Sequence, residues 1–212
     1  MVFSLLTICF SATLMSDRVS TLAIRGEKLN EDNPSLDLWA NKWATFIDRM
    51  DVNGDGKMDE YEYVNMTACR FGAITKSTEK EEKMKALLKE NWDKWWNSFM
   101  NGEHLESISA GDFISIEDKT RAKMVDMQHL VMEMIWPLTL FELMDADGND
   151  YLNKTEYANI LKIFRAPFPS TLFSEVDTNT DGAISKSEMI IKELAWVIDN
   201  SVEGADFYGK IR

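Results

Sequence analysis

DVNGDGKMDEYE, residues 51–62, sets acids and amides at alternate positions, bends through Gly56 and closes on Glu62. Like charges crowded into so short a stretch repel and raise one another's pKa, so the segment is costly unless something positive sits inside it. The same pattern, Asp-x-Asn-x-Asp-Gly-x5-Glu, returns as DTNTDGAISKSE at 177–188, and a near copy, DADGNDYLNKTE, occupies 145–156. One full match arises by chance in on the order of one in a few thousand chains of this length. Three in one chain are therefore an internal repeat, and the repeat governs the fold.

Each copy lies between helical patterns. Before the first, Leu36, Trp39, Ala40, Trp43, Phe46, Ile47 and Met50 recur at three- and four-residue steps, and Asn33-Pro34 offers a helix start. Before the second, LVMEMIWPLTLFELM (130–144) is strongly apolar but carries Pro137, which is expected to kink or restart the helix. After the last, Met189, Ile190, Leu194, Trp196, Val197 and Ile198 predict a helix fading at Asn200. Met84, Leu87, Leu88, Trp92, Trp95, Trp96 and Phe99 form a further stripe, followed by NGEHLESISAGD at 101–112 and another helix. That stretch aligns as a worn copy, with Leu105 in an acid's place and Glu106 where the glycine belongs. GAITKSTEKEEK (72–83) reads as a polar linker.

A hard dication takes about six to eight oxygens, and a loop of this kind supplies them from positions 1, 3, 5, 7, 9 and 12. In the first loop these are Asp51, Asn53, Asp55, the carbonyl of Lys57, Asp59 and Glu62. In the loop at 145 they are Asp145, Asp147, Asn149, the carbonyl of Tyr151, Asn153 and Glu156, with Asp150 in the glycine's place and a mildly strained bend expected there. In the last loop they are Asp177, Asn179, Asp181, the carbonyl of Ala183, Ser185 and Glu188, around Gly182. A closing glutamate that grips with both oxygens suits Ca2+, with Mg2+ as a competitor. Three occupied Ca2+ sites are expected, and none at 101–112. Met58, Ile108, Leu152 and Ile184 share position 8, where paired loops face each other across a short antiparallel bridge.

The 212 residues include 45% apolar and 11% aromatic ones, ample for a buried core, and carry a net charge of −13. So acidic a chain lacks the basic patch that nucleic acid or an anionic membrane surface requires. Cys9 and Cys69 show no metal-ligand spacing and fit a reducing compartment. The opening MVFSLLTICFSATLM is too short to span a bilayer, so no stable membrane insertion is expected; a cytoplasmic location is, with secretion left open if residues 1–15 act as a signal peptide. His104 and His129 lie in no nucleophile or metal pattern, and no phosphate-cradling glycine loop is present, so no enzyme activity is expected.

Loops, helix pairs and spacing together resemble the EF-hand superfamily with four hands. The Trp-rich first helix, LDLWANKWATFIDRMD (36–51), the degenerate second hand and the terminal ADFYG (205–209) are similar to the sarcoplasmic calcium-binding proteins of invertebrates, a likeness covering residues 34–212. The resemblance implies an all-α fold, four helix-loop-helix units in two pairs packed into one compact globule, and buffering of Ca2+ and Mg2+ by a monomer. The expected divisions are an extension over 1–33, a first pair over 34–123, a second over 124–199 and a tail over 200–212 that packs on the core. Coelenterazine-type photoproteins and luciferin-binding proteins share the layout and enclose an aromatic cavity, which Trp92, Trp95, Trp96, Trp136 and Trp196 would line unless they simply pack as core. Where the photoproteins carry a histidine, a tryptophan, a tyrosine and a final proline, this chain has Lys192, Trp196, Tyr208 and Arg212, so light emission is not expected. Two alternatives to a buffer stay open: a calcium-regulated carrier of a small apolar ligand, and a sensor whose methionines, among them Met124, Met127, Met132 and Met134, grip a target helix.

Overall fold

The computed structural model describes residues 38–99, 104–124, 127–169, 171–198 and 207–208; the side chains of residues 99, 121, 124, 127–133 and 198 are not among those described. The helix start at Asn33-Pro34, the segment 1–15, Cys9, the first three residues of the worn loop and the side chains of His129, Met124, Met127 and Met132 therefore lie outside the described residues.

Helix α1 (Leu38–Met50) turns Trp39, Trp43, Phe46, Ile47 and Met50 inward, as its spacing predicts, and delivers the chain to the 51–62 loop. The loop ends in strand β1 (Met58–Asp59), then a π-helical segment (Tyr61–Met66) running into α2 (Thr67–Thr75). Helix α3 (Thr78–Lys94) follows almost at once, so the expected linker over 72–83 is nearly all helical. The reason is local. Lys76 takes the left-handed conformation that stops α2, the Ser77 side chain accepts from the Lys80 amide to start α3, and Lys83 pairs with Glu79 one turn back at 2.8 Å. Polar composition there marks a solvated helix face.

After α3 come a 3-10 turn (Trp96–Phe99), strand β2 (Ser107–Ile108), α4 (Ala110–Ser115) and α5 (Glu117–Met124). Helix α6 (Met127–Met144) runs through Pro137 without a restart. Strand β3 (Tyr151–Leu152), α7 (Lys154–Ile163), α8 (Leu172–Val176), β4 (Ile184–Ser185) and α9 (Lys186–Ile198) complete the order. Among the described residues the fold is all-α apart from two miniature antiparallel sheets. In one Met58 faces Ile108, in the other Leu152 faces Ile184, and all four side chains are buried. The position-8 expectation is met at each place, and the bridges fix which loops lie side by side.

Helices α1 and α9 meet in the core. Trp39 Nε1 donates to the Val197 carbonyl at 2.8 Å, the buried Lys42 Nζ reaches the Ala195 carbonyl at 3.4 Å, and Arg49 Nη1 donates to the Tyr208 carbonyl at 2.7 Å. Phe207 and Tyr208 are buried, and Tyr157 Oη donates to the Phe207 carbonyl at 2.9 Å. Among the described residues no helix is long and apolar enough to cross a membrane.

Candidate metal centres and the aromatic cavity

The three acidic loops close by closely similar sets of bonds. Each opening aspartate spreads its two oxygens over the bend: Asp51 accepts from the amides of Gly54 (2.6 Å) and Gly56 (2.8 Å), Asp145 from Gly148 (2.8 Å) and Asp150 (2.9 Å), and Asp177 from Asp181 (3.2 Å) and Gly182 (2.9 Å). The third-position oxygen takes the fifth-position amide, Asn53 from Asp55, Asp147 from Asn149, Asn179 from Asp181. The fifth-position oxygen takes the seventh amide, at Lys57, Tyr151 and Ala183. Finally the closing glutamate spans the mouth: Glu62 joins the amides of Val52 and Asp59, Glu156 those of Ala146 and Asn153, Glu188 those of Thr178 and Ser185.

The ladder holds oxygens of the first, third, fifth and twelfth positions in each loop by main-chain amides, and oxygens are the ligands a large hard cation takes. The three glutamates are buried, at 3%, 6% and 6% exposure, while most other loop residues are solvent-facing. Burial pushes the Glu188 carboxyl up, but the Ser185 amide and hydroxyl, the Asn179 amide and the Thr178 hydroxyl together hold it below its ordinary value. Asp145, Asp147 and Glu156 each bring one carboxylate oxygen to within 4.8 Å of the others; among the described residues this is the one carboxylate trio so close. The donor set fits a divalent cation.

Asp150 does adopt the left-handed conformation, with φ 64°, where its neighbours have Gly56 at 86° and Gly182 at 88°. Its carboxylate also pairs with Lys186 of the adjoining loop at 2.7 Å. The fourth loop position is left-handed too, at Gly54, Gly148 and Thr180. The glycines at two of those three places were the available signal; a β-branched threonine gave none.

At 104–112 the alternating pattern is replaced by core contacts. Leu105 is 2% exposed, its amide donates to Asn97 Oδ1 at 2.7 Å, and its carbonyl accepts from Trp92 Nε1 at 3.3 Å. Asp112 stands where the other loops have glutamate, is one methylene shorter and exposed, and closes a capping box with Ser109. The Ser109 hydroxyl and amide hold its carboxyl below the usual value.

Between the helices lies a cavity of about 30 Å³ for the centres of water-sized spheres, lined by Trp43, Tyr63, Trp95, Trp96, Trp136, Trp196 and Tyr208 among others. Four of the expected five tryptophans, Trp95, Trp96, Trp136 and Trp196, line it; Trp92 does not, its ring tilted against that of Trp96 at 6.1 Å. Trp136 Nε1 donates to Tyr208 Oη at 2.8 Å, and Tyr208 Oη lies 3.4 Å from Glu193 Oε1. The buried indole N–H groups of Trp43 and Trp96 have no acceptor among the described residues. Lys192 is only half-buried, whereas the adjacent Glu193 is 2% exposed and lines the cavity; sequence reasoning weighed the first and missed the second.

An EF-hand family model matches residues 170–190, the span that contains the last loop. The fold of the described residues is that of the solved structures to which the chain is similar. Among solved structures it is similar to the coelenterazine-binding protein of Renilla muelleri in its calcium-loaded apo form (TM-score 0.62, 23% identity, 82% of this chain and 96% of that one). It is similar as well to calcium-loaded apo-aequorin from Aequorea victoria (TM-score 0.62, 15% identity, 76% and 91%) and to a sarcoplasmic calcium-binding protein from amphioxus (TM-score 0.61, 16% identity, 84% and 99%). No curated protein matches the sequence.

Proposed function

We propose that the chain is a buffer that binds Ca2+ at three EF-hand sites, 51–62, 145–156 and 177–188, with Mg2+ competing for them, and that 101–112 is a fourth hand that buttresses its neighbour without binding metal. The ligands are those given by loop position: Asp51, Asn53, Asp55, Lys57, Asp59 and Glu62; Asp145, Asp147, Asn149, Tyr151, Asn153 and Glu156; Asp177, Asn179, Asp181, Ala183, Ser185 and Glu188. The observation that carries this reading is the shared part of the ladder: in all three loops the opening aspartate accepts from the sixth-position amide and the closing glutamate from the second- and ninth-position amides. A bound ion neutralises each carboxylate cluster and adds stability, about 2.7 kcal/mol per site at a hundredfold excess over the dissociation constant.

A buffer is favoured over a sensor by the core that runs from α1 to α9 and Tyr208, whose buried hydrogen bonds would have to break for a groove to open. Cytoplasmic action fits the free thiol of Cys69. Calorimetric titration with Ca2+, with and without Mg2+, tests the reading; three equivalents support it.

The two unpartnered indole N–H groups favour one second reading, a carrier of a small apolar ligand bearing hydrogen-bond acceptors. The space holds no more than a water or two, so a ligand of coelenterazine size would have to move the aromatic walls. Uptake of such a ligand with a shift in tryptophan fluorescence tests this reading.

A further inference from the structure

Both ends of the 51–62 loop are tied by arginines to a single turn of the other helix pair. Arg165 Nη1 donates to the carbonyls of Arg49 (2.6 Å) and Asp51 (2.7 Å), where α1 gives way to the loop. Arg70 Nε donates to the Ile163 carbonyl at 2.7 Å, while its Nη2 donates to Thr67 Oγ1 at 2.8 Å, and that hydroxyl reaches the Glu62 carbonyl at 3.4 Å. So Asp51, bearing the first ligand, is bonded to Arg165 directly, and Glu62, bearing the last, is linked to Ile163 through Thr67 and Arg70. Each guanidinium sits at the C-terminal end of a helix from the opposite pair, where carbonyls lack partners and positive charge is favoured.

The turn itself is built at a cost. The Arg165 amide donates to the Lys162 carbonyl (3.1 Å) and the Ala166 amide to that of Leu161 (2.8 Å), a Schellman cap that places Arg165, at φ 55°, where glycine is the unstrained choice. A further cost is like-charge repulsion: burial, and then the Arg165 charge, push the Arg70 guanidinium down to about 10. Strain and repulsion retained together at one turn mark it as serving more than the helix it ends.

Helix α7 carries this turn at one end and Glu156, the closing residue of the 145–156 loop, in the first turn at the other. We propose that Arg70 and Arg165 are positioning residues for the cation at 51–62, and that through them and α7 this site is energetically coupled to the site at 145–156. The proposal rests on the calcium reading above. An ion that draws in Glu156 shifts α7 as a unit, and the shift reaches Asp51 and Glu62 through the two guanidinium groups. Coupling is reciprocal, so an ion at 51–62 favours one at 145–156 by the same factor.

The test is a Ca2+ titration followed by the amide resonances of Gly56 and Gly182, whose N–H groups donate to Asp51 and Asp177 and so report their own loops. Arg165→Gly relieves the left-handed strain, so a role confined to capping α7 leaves both midpoints in place. Positioning predicts a Gly56 midpoint about fivefold or more weaker with Gly182 unmoved. Glu156→Gln should weaken the Gly56 titration in the wild-type background and have no effect on it in Arg165→Gly. An unchanged Gly56 midpoint in Arg165→Gly, or a Glu156→Gln effect that survives undiminished, overturns the coupling while leaving calcium binding intact. A wild-type Gly56 resonance that ignores Ca2+ overturns both.

Discussion

Leu105 occupies the fifth position of the 101–112 loop, and restoring an acid there is the obvious way to revive a fourth metal site. The structure predicts that Leu105→Asp instead unfolds the region. The side chain is 2% exposed, and both main-chain groups are anchored, the amide to Asn97 and the carbonyl to Trp92. The new carboxylate therefore cannot swing outward without breaking those bonds. Loss of a buried leucine costs about 2–5 kcal/mol, and a buried carboxylate without a partner costs several more. Together the loss is about 5 kcal/mol or above, comparable with the whole stability of many domains. For a chain of this size that lowers Tm by at least about 10 °C. Thermal unfolding in chelator and Ca2+ calorimetry are the assays. A variant with unchanged Tm and an additional Ca2+ equivalent would refute the assignment of Leu105 to the core.

Other perturbations separate the parts of the account. Glu62→Gln, Glu156→Gln and Glu188→Gln should each remove one equivalent of bound Ca2+ by calorimetry, because each removes the charge that spans a loop mouth. Ile108→Ala, buried opposite Met58, should cost about 2–5 kcal/mol in chemical denaturation and weaken binding at 51–62 across the bridge. Glu188, its folded carboxyl held low, contributes stability that is present above its unfolded value and lost as pH falls through the lower folded one. Ser185→Ala removes one donor, raises that folded value, and should move the acid-unfolding midpoint in chelator to higher pH.

The folding of the acidic loops was legible in the sequence because their amide-to-oxygen bonds are local, made within one short segment at fixed spacing. Position 8 was legible for a related reason, since Met58, Ile108, Leu152 and Ile184 pair only if the loops lie side by side, and the repeat said that they do. Asp150 announced its left-handed bend by standing in a glycine's place, while Thr180, β-branched and equally left-handed, announced nothing. The segment 72–83 was misjudged because its composition is that of a solvated surface, which a capped helix and a linker share. What stayed hidden is long-range. Arg165 meets Asp51 across 114 positions and Trp39 meets Val197 across 158, and no spacing rule reaches so far. The burial of Lys42 and Glu193 likewise depends on helices brought together only by the complete fold.

The central claim is that three ladders of amide-held oxygens each enclose a divalent cation. Isothermal titration of the full chain, first stripped with chelator, measures this directly. Three Ca2+ equivalents are predicted, each lost in turn with its closing glutamate. A titration showing no Ca2+ binding, or a stoichiometry indifferent to all three glutamates, would contradict the account.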